Sequence, residues 1–512
     1  MQSSPAVAVE TRPSRIDPAR LEMGIPAALA VVLAAAFALR VYDLGVRSLW
    51  VDELFTVGLA AQSPSTILTV LYGEEANMTL YYWVMFVWVR LVGMSAGEIW
   101  MRLPSVVSGV AGLWALYRLG ARLDGRVTGL LAAGFAAANA YHVEMSQEAR
   151  AYTMWALLVT LSWDALLDAL DTGRRSAWLR YVAFTTLAFY AHFFTVFAIF
   201  AQVAVVTVRV RPSEWKAMVR CGVGVGVLCL PFVPFFLAND DGSQILHVRP
   251  SGLPELIELF RLFAGSTPLL LMAYGGLGLV GAAVHVARAF RHRDRQGVGR
   301  ALIPLLWLLV PILTIFLLSY VKPMFKERYL FAAMPAFPLL AAVGVMALRL
   351  RLAQVAAGLV VVGLSLVPLV SGLEIRQNEN WRGAVAYLQE SSQPDDGWVF
   401  ISKRGQLGYE YYAGWLSGGR PGAARPDFLE SFDWIDLANS QEYYRAITSG
   451  TSRLPDFTSR HPRIWLVLSH EFDSTFDGDT SEAVKSWLTR RGYAARQRSF
   501  QNIRVILYER RS

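Results

Sequence analysis

Long apolar runs alternate with short arginine-containing segments along the first 371 residues of the chain. Runs of this length and composition are typical of helices that cross a membrane. They predict eleven spans, at residues 25–41, 102–119, 127–141, 152–170, 178–190, 193–208, 218–237, 268–290, 301–320, 329–348 and 352–371. The third, fifth and sixth are shorter than the roughly 17–25 residues that usually span the hydrocarbon layer.

A further apolar segment, TLYYWVMFVWVRLVG at residues 79–93, decides the topology. If it crossed the membrane, every later arginine cluster would face outward, against the tendency of basic residues to stay in the cytoplasm. We therefore expect a helix that lies along the bilayer surface. The chain then divides into a cytoplasmic tail (1–23) and a membrane domain (24–371) whose first outer loop spans about 42–101.

The last span delivers residues 372–512 to the outer face, where they form a separate soluble domain. Asn380 is a plausible N-cap for a helix that begins at Trp381. Apolar runs predict strands near 398–402, 464–469 and 505–508, with an amphipathic helix near 481–490. This mixture predicts a small α/β domain, either a sandwich or a doubly wound sheet.

Composition supports a multi-pass membrane protein, because 54% of the 512 residues are hydrophobic and only 17% are charged. The net charge of +8 resides in clusters between spans, which indicates topology and not nucleic-acid binding. No phosphate-binding loop or dinucleotide fingerprint occurs, so a soluble nucleotide donor finds no support. Arginine far outnumbers lysine and alanine is abundant, as in GC-rich bacterial genomes; the expected location is a bacterial cytoplasmic membrane.

The first outer loop contains an acidic pair, Asp52 and Glu53, in the segment RSLWVDELF at residues 47–55. Acids at the edge of a bilayer are costly unless water, substrate or a cation meets them. Trp50 indicates interfacial depth, because indole prefers the headgroup boundary. The pair could supply the general base of a reaction at the membrane surface, or both acids could simply face water.

Three cations, Lys322, Lys326 and Arg328, precede the tenth span on the side where basic residues are scarce. A phosphate or pyrophosphate at the interface would explain them, since arginine binds phosphate in a bidentate way and lysine as a point charge. The alternatives are contact with anionic lipid headgroups and pairing with Glu327.

Other polar residues border the same face of the membrane. Glu148 and Arg150, between the third and fourth predicted spans, could bind a sugar, orient a phosphate, or only pair with each other. Arg102 opens the second span, where reaching outward to headgroups is the default interpretation and bonding to the first outer loop the alternative. His192, among aromatic residues, is more often a hydrogen-bonded structural residue than a catalyst.

No cofactor is predicted. The seven histidines show no metal-ligand spacing, and the two cysteines lie in one apolar span, which argues against a zinc site or a disulfide framework. A divalent cation at Asp52 and Glu53 stays open as an alternative, but no third acid at a fixed spacing supports it.

Taken in order, the motifs resemble the polyprenyl-phosphate-sugar-dependent glycosyltransferases of the C-type fold. Within that group, they resemble the branch of protein O-mannosyltransferase-like and lipid A aminoarabinose transferase-like enzymes. The resemblance covers about residues 24–371 and rests on RVYDLG (40–45), LWVDE (49–53), LYYW (80–83), EIWMRLPS (98–105), EARAY (148–152) and ERYL (327–330) with Pro335.

The resemblance implies a polyprenyl-phosphate sugar as donor, inversion at the anomeric carbon and Asp52 as the base that activates an acceptor hydroxyl. Glu53 would orient the acceptor or a neighbouring arginine. The remaining residues implied to contact substrate are Asn77, Tyr81, Tyr82, Arg102, Glu148, Arg150, Tyr152, His192, Lys322, Lys326, Arg328 and Tyr329.

Asn77 stands where the family usually has a histidine or an aspartate followed by proline, and it can still bond a sugar hydroxyl. The chain lacks the Glu-Lys pair that precedes the tyrosine run in the aminoarabinose branch, which argues against that sugar. The acceptor, whether protein, lipid or glycan, is not specified.

Two other classes remain open from the sequence. A transporter of lipid-linked sugars would explain the spans and the cations but gives no reason for the acidic pair. A non-catalytic binding partner with the same fold would bind a donor without turning it over.

Overall fold

The computed structural model describes residues 18–73, 75–209, 211–238, 252–291, 295–370, 379–414, 426–434, 450–469 and 478–510. Most of the predicted cytoplasmic tail, and the junction at 371–378, lie outside these ranges. The described chain is a bundle of helices followed by a region built on one mixed sheet.

Helices cover each of the eleven predicted segments. They are α1 Pro18–Val41, α2 Val51–Ala60, α3 Pro64–Gly73, α4 Thr79–Val92, α5 Glu98–Asp124, α6 Arg126–Ala137, α7 Ala140–Ser146, α8 Tyr152–Thr172, α9 Arg175–Ala191, α10 Thr195–Arg209, α11 Pro212–Leu228, α12 Val233–Ala238, α13 Leu253–Ala264, α14 Pro268–Arg291, α15 Arg295–Leu318, α16 Ala336–Ala347 and α17 Arg351–Val370. A 3-10 helix, Glu327–Ala333, precedes α16.

Within the described ranges, five helices are long and apolar enough to cross a membrane, and up to eight if each bent pair counts as one span. Three predicted spans do not reach this length. They are the third, fifth and sixth, whose apolar runs are also the short ones in the sequence. One of them, 127–141, is divided between α6 and α7, because the chain turns at Ala138 and Asn139 caps α7 through the amide of His142. The predicted surface segment forms α4, a short apolar helix of 14 residues.

The C-terminal region contains α18 Trp381–Ser391, β1 Gly397–Phe400, α19 Gly405–Tyr412, β2 Asp427–Phe428, α20 Gly450–Arg460, β3 Arg463–Ser469, α21 Gly478–Arg490, β4 Tyr493–Phe500 and β5 Ile503–Arg510. The sheet order is β2-β1-β3-β5-β4. Strands β2, β1 and β3 are parallel, whereas β5 is antiparallel to both β3 and β4. The predicted cap forms, since Asn380 accepts from the amide of Gly383.

The two faces of the sheet pack in different directions because neighbouring side chains of a strand alternate. One face, which includes Trp398, Phe400 and Trp465, belongs to the same apolar core as α2 and the helix bundle. The other face packs with Val484 and Leu488 of α21 in a second core. The C-terminal region is thereby joined to the helices that hold the acidic pair.

Candidate active site

The first turn of α2 carries Asp52 and Glu53, and two carboxylates accept hydrogen bonds from the amides at its N-terminus. The amide of Trp50 donates to Glu53 Oε2 at 3.3 Å, and the amide of Val51 donates to Glu379 Oε2 at 3.0 Å. The free amides at a helix N-terminus attract carboxylates, so both bonds are favourable. Glu379 comes from the C-terminal region, 328 residues away in sequence.

Glu53 is fully buried and forms an ion pair with Arg102. Arg102 Nε lies 2.8 Å from Oε1, and Nη2 lies 2.7 Å from Oε2. The carboxylate also accepts from the amide of Ala149 at 2.8 Å. Glu53 therefore anchors α2 to α5 and to the segment before α8.

Arg102 does not reach towards headgroups, which corrects the default expectation. Its remaining N–H groups donate to the carbonyls of Leu44, Arg47 and Ser48. With all five donors engaged by protein, it is poorly suited to the substrate-binding role expected from the sequence. It holds the outer loop in place instead.

Asp52 is half-buried and faces two arginines from distant parts of the chain. Its Oδ2 lies 3.4 Å from Arg328 Nη1 and 4.0 Å from Arg150 Nη2. Arg150 also donates to the Asp52 carbonyl and to Thr56 Oγ1. The guanidinium of Arg328 lies 5.3 Å from the ring centroid of Trp50, within cation–π distance.

Several polar atoms around this centre find no hydrogen-bond partner among the described residues. They are the hydroxyls of Tyr82 and Tyr152 and the Nε atoms of Arg150 and Arg328. Buried polar groups without a partner are rare in folded proteins. Donors that converge near a carboxylate and two guanidinium groups suit an anionic, oxygen-rich ligand.

Asn77 and His192, two of the residues expected to contact substrate, lie close to each other. Asn77 accepts from the amide of Phe193 at 3.1 Å, and its amide nitrogen lies 3.5 Å from His192 Nε2. The His192 ring stacks on Trp155 at 4.3 Å. Burial, with the Arg150 charge, lowers the pKa of His192 to about 3, so the ring is neutral at physiological pH.

Glu148 and Arg150 are not shown paired with each other, although the sequence left that possibility open. Glu148 Oε2 is buried without a hydrogen-bond partner among the described residues. Burial, together with the nearby charges of Glu53 and Glu144, raises the pKa of Glu148 to about 8. Its carboxyl is therefore mostly protonated at neutral pH and can donate a hydrogen bond.

The other predicted residues divide between the centre and its edge. Tyr81 bonds Ser105 Oγ at 2.7 Å, and the ring of Tyr329 lies 5.8 Å from that of His192. Lys326 is half-buried beside Arg328, but Lys322 is exposed, and no described contact joins it to Asp52.

Three charged residues near the centre were not predicted from the sequence: Glu75, Glu379 and Arg404. Burial raises the pKa of Glu75, and Asp52 adds to this effect while Arg150 and Arg404 oppose it. The Arg404 guanidinium lies 4.9 Å from the Phe55 ring centroid on α2. Two of them had a signal in the sequence: Glu75 lies two residues before Asn77, and Glu379 is next to the predicted cap at Asn380.

No group of three or more histidine, cysteine, aspartate or glutamate side chains that could hold a metal ion occurs in the described part of the chain.

Comparisons with known proteins find a family model that matches part of the chain and solved structures that share its fold. Residues 76–237 match the family model described as dolichyl-phosphate-mannose-protein mannosyltransferase. No curated protein sequence matches the chain. ArnT from Cupriavidus metallidurans aligns over 96% of this chain and 98% of its own, with 15% identity and a TM-score of 0.58. A structure of the same protein bound to undecaprenyl phosphate aligns over 94% and 97%, with 14% identity and a TM-score of 0.58.

The Archaeoglobus fulgidus oligosaccharyltransferase aligns over 92% of this chain and 73% of its own, with 11% identity and a TM-score of 0.54. A second structure of that protein contains an inhibitory peptide and a dolichol-phosphate. The proteins that share this architecture therefore include ones solved with a polyprenyl phosphate.

Proposed function

Starting from a chain with the C-type glycosyltransferase fold and the mannosyltransferase family signature, we propose that it transfers a sugar from a polyprenyl-phosphate carrier to a hydroxyl acceptor at the outer membrane face. The observation that supports this most is the position of Asp52. A carboxylate that could accept a proton lies within 4.0 Å of two guanidinium groups that could hold a phosphate.

In the proposed reaction, Asp52 takes the proton of the acceptor hydroxyl while that oxygen attacks the anomeric carbon from the face opposite the phosphate. The new C–O bond forms as the bond from the anomeric carbon to the phosphate oxygen breaks. The polyprenyl phosphate leaves with the electron pair, and the sugar is inverted. Asp52 ends protonated and the phosphate ends with one more negative charge.

Arg150 and Arg328 would stabilise that developing charge. Both guanidinium groups lie within 4.0 Å of the Asp52 carboxylate. A bound phosphate would share both guanidinium groups and weaken their hold on the carboxylate. Donor binding would thus make Asp52 a better base, because nearby positive charge lowers proton affinity.

The test compares Asp52→Asn with Asp43→Asn in full-length protein, supplied with radiolabelled polyprenyl-phosphate hexoses and a membrane extract as acceptor. Asp43 is an exposed carboxylate in the same loop with φ of 56°, a conformation that asparagine tolerates. Loss of a general base costs about 10²–10⁴-fold in rate. We expect that loss for Asp52→Asn with donor binding retained, and near wild-type transfer for Asp43→Asn.

Equal transfer by wild type and Asp52→Asn would remove Asp52 from the mechanism. Donor binding by both proteins without transfer of any sugar would favour the transporter or the binding partner.

A further inference from the structure

A polar cavity of about 140 Å³ lies where the C-terminal region meets the loop before α2. Its walls include Arg47, Trp50, Glu53 and Glu148 on the membrane side, and Asn380 and Gln501 on the other. A single water needs roughly 10–15 Å³ on this scale, so the cavity has room for about ten waters or one sugar ring.

Two residues of its walls each have a buried polar atom without a hydrogen-bond partner among the described residues: Nε1 of Trp50 and Oε2 of Glu148. Glu148 is only 6% exposed. Such atoms are few in native structures, and a ligand that supplies both an acceptor and a donor would satisfy them.

The cavity is next to the reaction centre but separate from its cations. Glu53 lines it, whereas Asp52, Arg150 and Arg328 do not. Trp50 forms the boundary between the cavity and these cations, because it lines the cavity and its ring lies 5.3 Å from the Arg328 guanidinium. An occupant would therefore contact Trp50 and Glu53, which flank Asp52 in sequence, and not the cations of the proposed phosphate site.

The charges on the walls nearly cancel. Glu53 is neutralised by Arg102, and Glu379, also on the wall, is bonded to the amide of Val51. Glu148 is mostly protonated at neutral pH, as its raised pKa indicates. Arg47 and Glu379 carry opposite charges and balance each other. The walls therefore present guanidinium, amide, indole and carboxyl groups with little net charge, which suits an uncharged ligand rich in hydroxyls better than a phosphate or an acyl chain.

We propose that this cavity is the acceptor site and that it binds the uncharged, hydroxyl-rich end of a carbohydrate beside Asp52. The proposal rests on the transferase function above and specifies its acceptor as a glycan. Gln501 and Glu148 would then set acceptor affinity without affecting the donor.

The test measures binding of methyl glycosides of glucose, mannose and galactose to full-length protein in lipid nanodiscs by saturation-transfer NMR. Gln501→Trp fills the cavity, and Gln497→Trp places the same side chain at an exposed position on the neighbouring strand β4. We expect at least one glycoside to bind wild type and Gln497→Trp equally, and Gln501→Trp at least about tenfold more weakly.

A second pair of variants tests the hydrogen bond. Glu148→Gln keeps a neutral donor and acceptor and should retain binding, whereas Glu148→Leu should lose it. Donor binding is measured in all four variants and should be retained in Gln501→Trp.

Failure of every glycoside to bind, or equal binding by wild type and Gln501→Trp, would overturn the proposal even if wild type transfers sugar to the membrane extract. Binding of a serine-containing peptide that Gln501→Trp abolishes would also overturn it, in favour of a peptide acceptor. Weaker donor binding in Gln501→Trp, with glycosides unaffected, would reassign the cavity to the donor sugar. Absence of sugar transfer by wild type would instead count against the transferase function itself.

Discussion

At the residue scale, the adjacent acids of α2 have opposite environments. Glu53 has both oxygens bonded by Arg102 and the amide of Ala149, inside the protein. Asp52 is half-buried and faces cations with spare donors. Successive residues of a helix point about 100° apart, so one turn can present an anchor and a reactive group in different directions.

The pKa of Glu148 leads to a prediction of how the stability of the protein depends on pH. Its pKa is about 8 in the folded protein against an ordinary 4.5, so the folded state binds the proton more tightly than the unfolded state. Stability is therefore lost progressively as the pH rises from about 4.5 to about 8. Glutamine is neutral in both states, so Glu148→Gln should exceed wild type in melting temperature by a margin that grows over this interval.

The measurement is thermal unfolding in detergent at a series of pH values between about 5 and 8. Glu390→Gln, at an exposed position of α18, is the control and should show no such trend. A constant difference between Glu148→Gln and wild type would show that Glu148 does not titrate in this range.

At the scale of elements, α2 depends on bonds from outside its own segment. Glu379 accepts from Val51, and Tyr412 of α19 accepts from the amide of Leu49 at 2.7 Å. Ser48 Oγ donates to the Glu379 carbonyl and accepts from the amide of Trp381. The orientation of Asp52 is therefore set by the C-terminal region as well as by the bundle.

Glu379→Gln should consequently slow the proposed reaction without weakening donor binding. Glutamine keeps one acceptor but loses the charge that favours a helix N-terminus, so α2 should become less firmly held. We expect kcat to fall about tenfold, the loss equivalent to roughly 1.4 kcal/mol of transition-state stabilisation, with the donor Kd unchanged.

Glu390→Gln again serves as the control, since Glu390 is an exposed residue of the neighbouring helix α18. A change in donor Kd with kcat unaltered would place Glu379 in donor binding and refute its positioning role.

At the scale of the whole molecule, the C-terminal region and the bundle share one apolar core. Trp434 packs on Phe55 of α2 with ring centroids 5.2 Å apart, and Leu407 belongs to the same core. Apolar contacts and buried hydrogen bonds respond little to ionic strength, unlike exposed ion pairs. The two parts should behave as one body in solution.

A protease site inserted at residues 371–378 tests this expectation. After cleavage, the two fragments should elute together in size-exclusion chromatography at about 1 M salt, where exposed charges are strongly screened. Trp434→Ala should weaken their association, because it removes the ring that packs on α2. Separation of the wild-type fragments would mean that the covalent link alone keeps them together.

The sequence predicted the elements better than the bonds between them. Apolar runs located the helices, and the polar cap at Asn380 located the start of α18. The partner of Glu53 was not identified, since Arg102 lies 49 residues away and its default interpretation was contact with headgroups at the membrane surface. Glu379 was missed because nothing local indicates that its carboxylate meets an amide 328 residues earlier.

The bond between Val51 and Glu379 also bears on the order of biosynthesis. The ribosome makes Glu379 only after all of α1–α17, so a nascent chain has the acidic pair long before it has the partner that caps it. The contacts that hold the first turn of α2 are therefore complete only after about three-quarters of the chain has been made. A chain that stops before Glu379 would thus have the acidic pair without the bond that holds the first turn of α2.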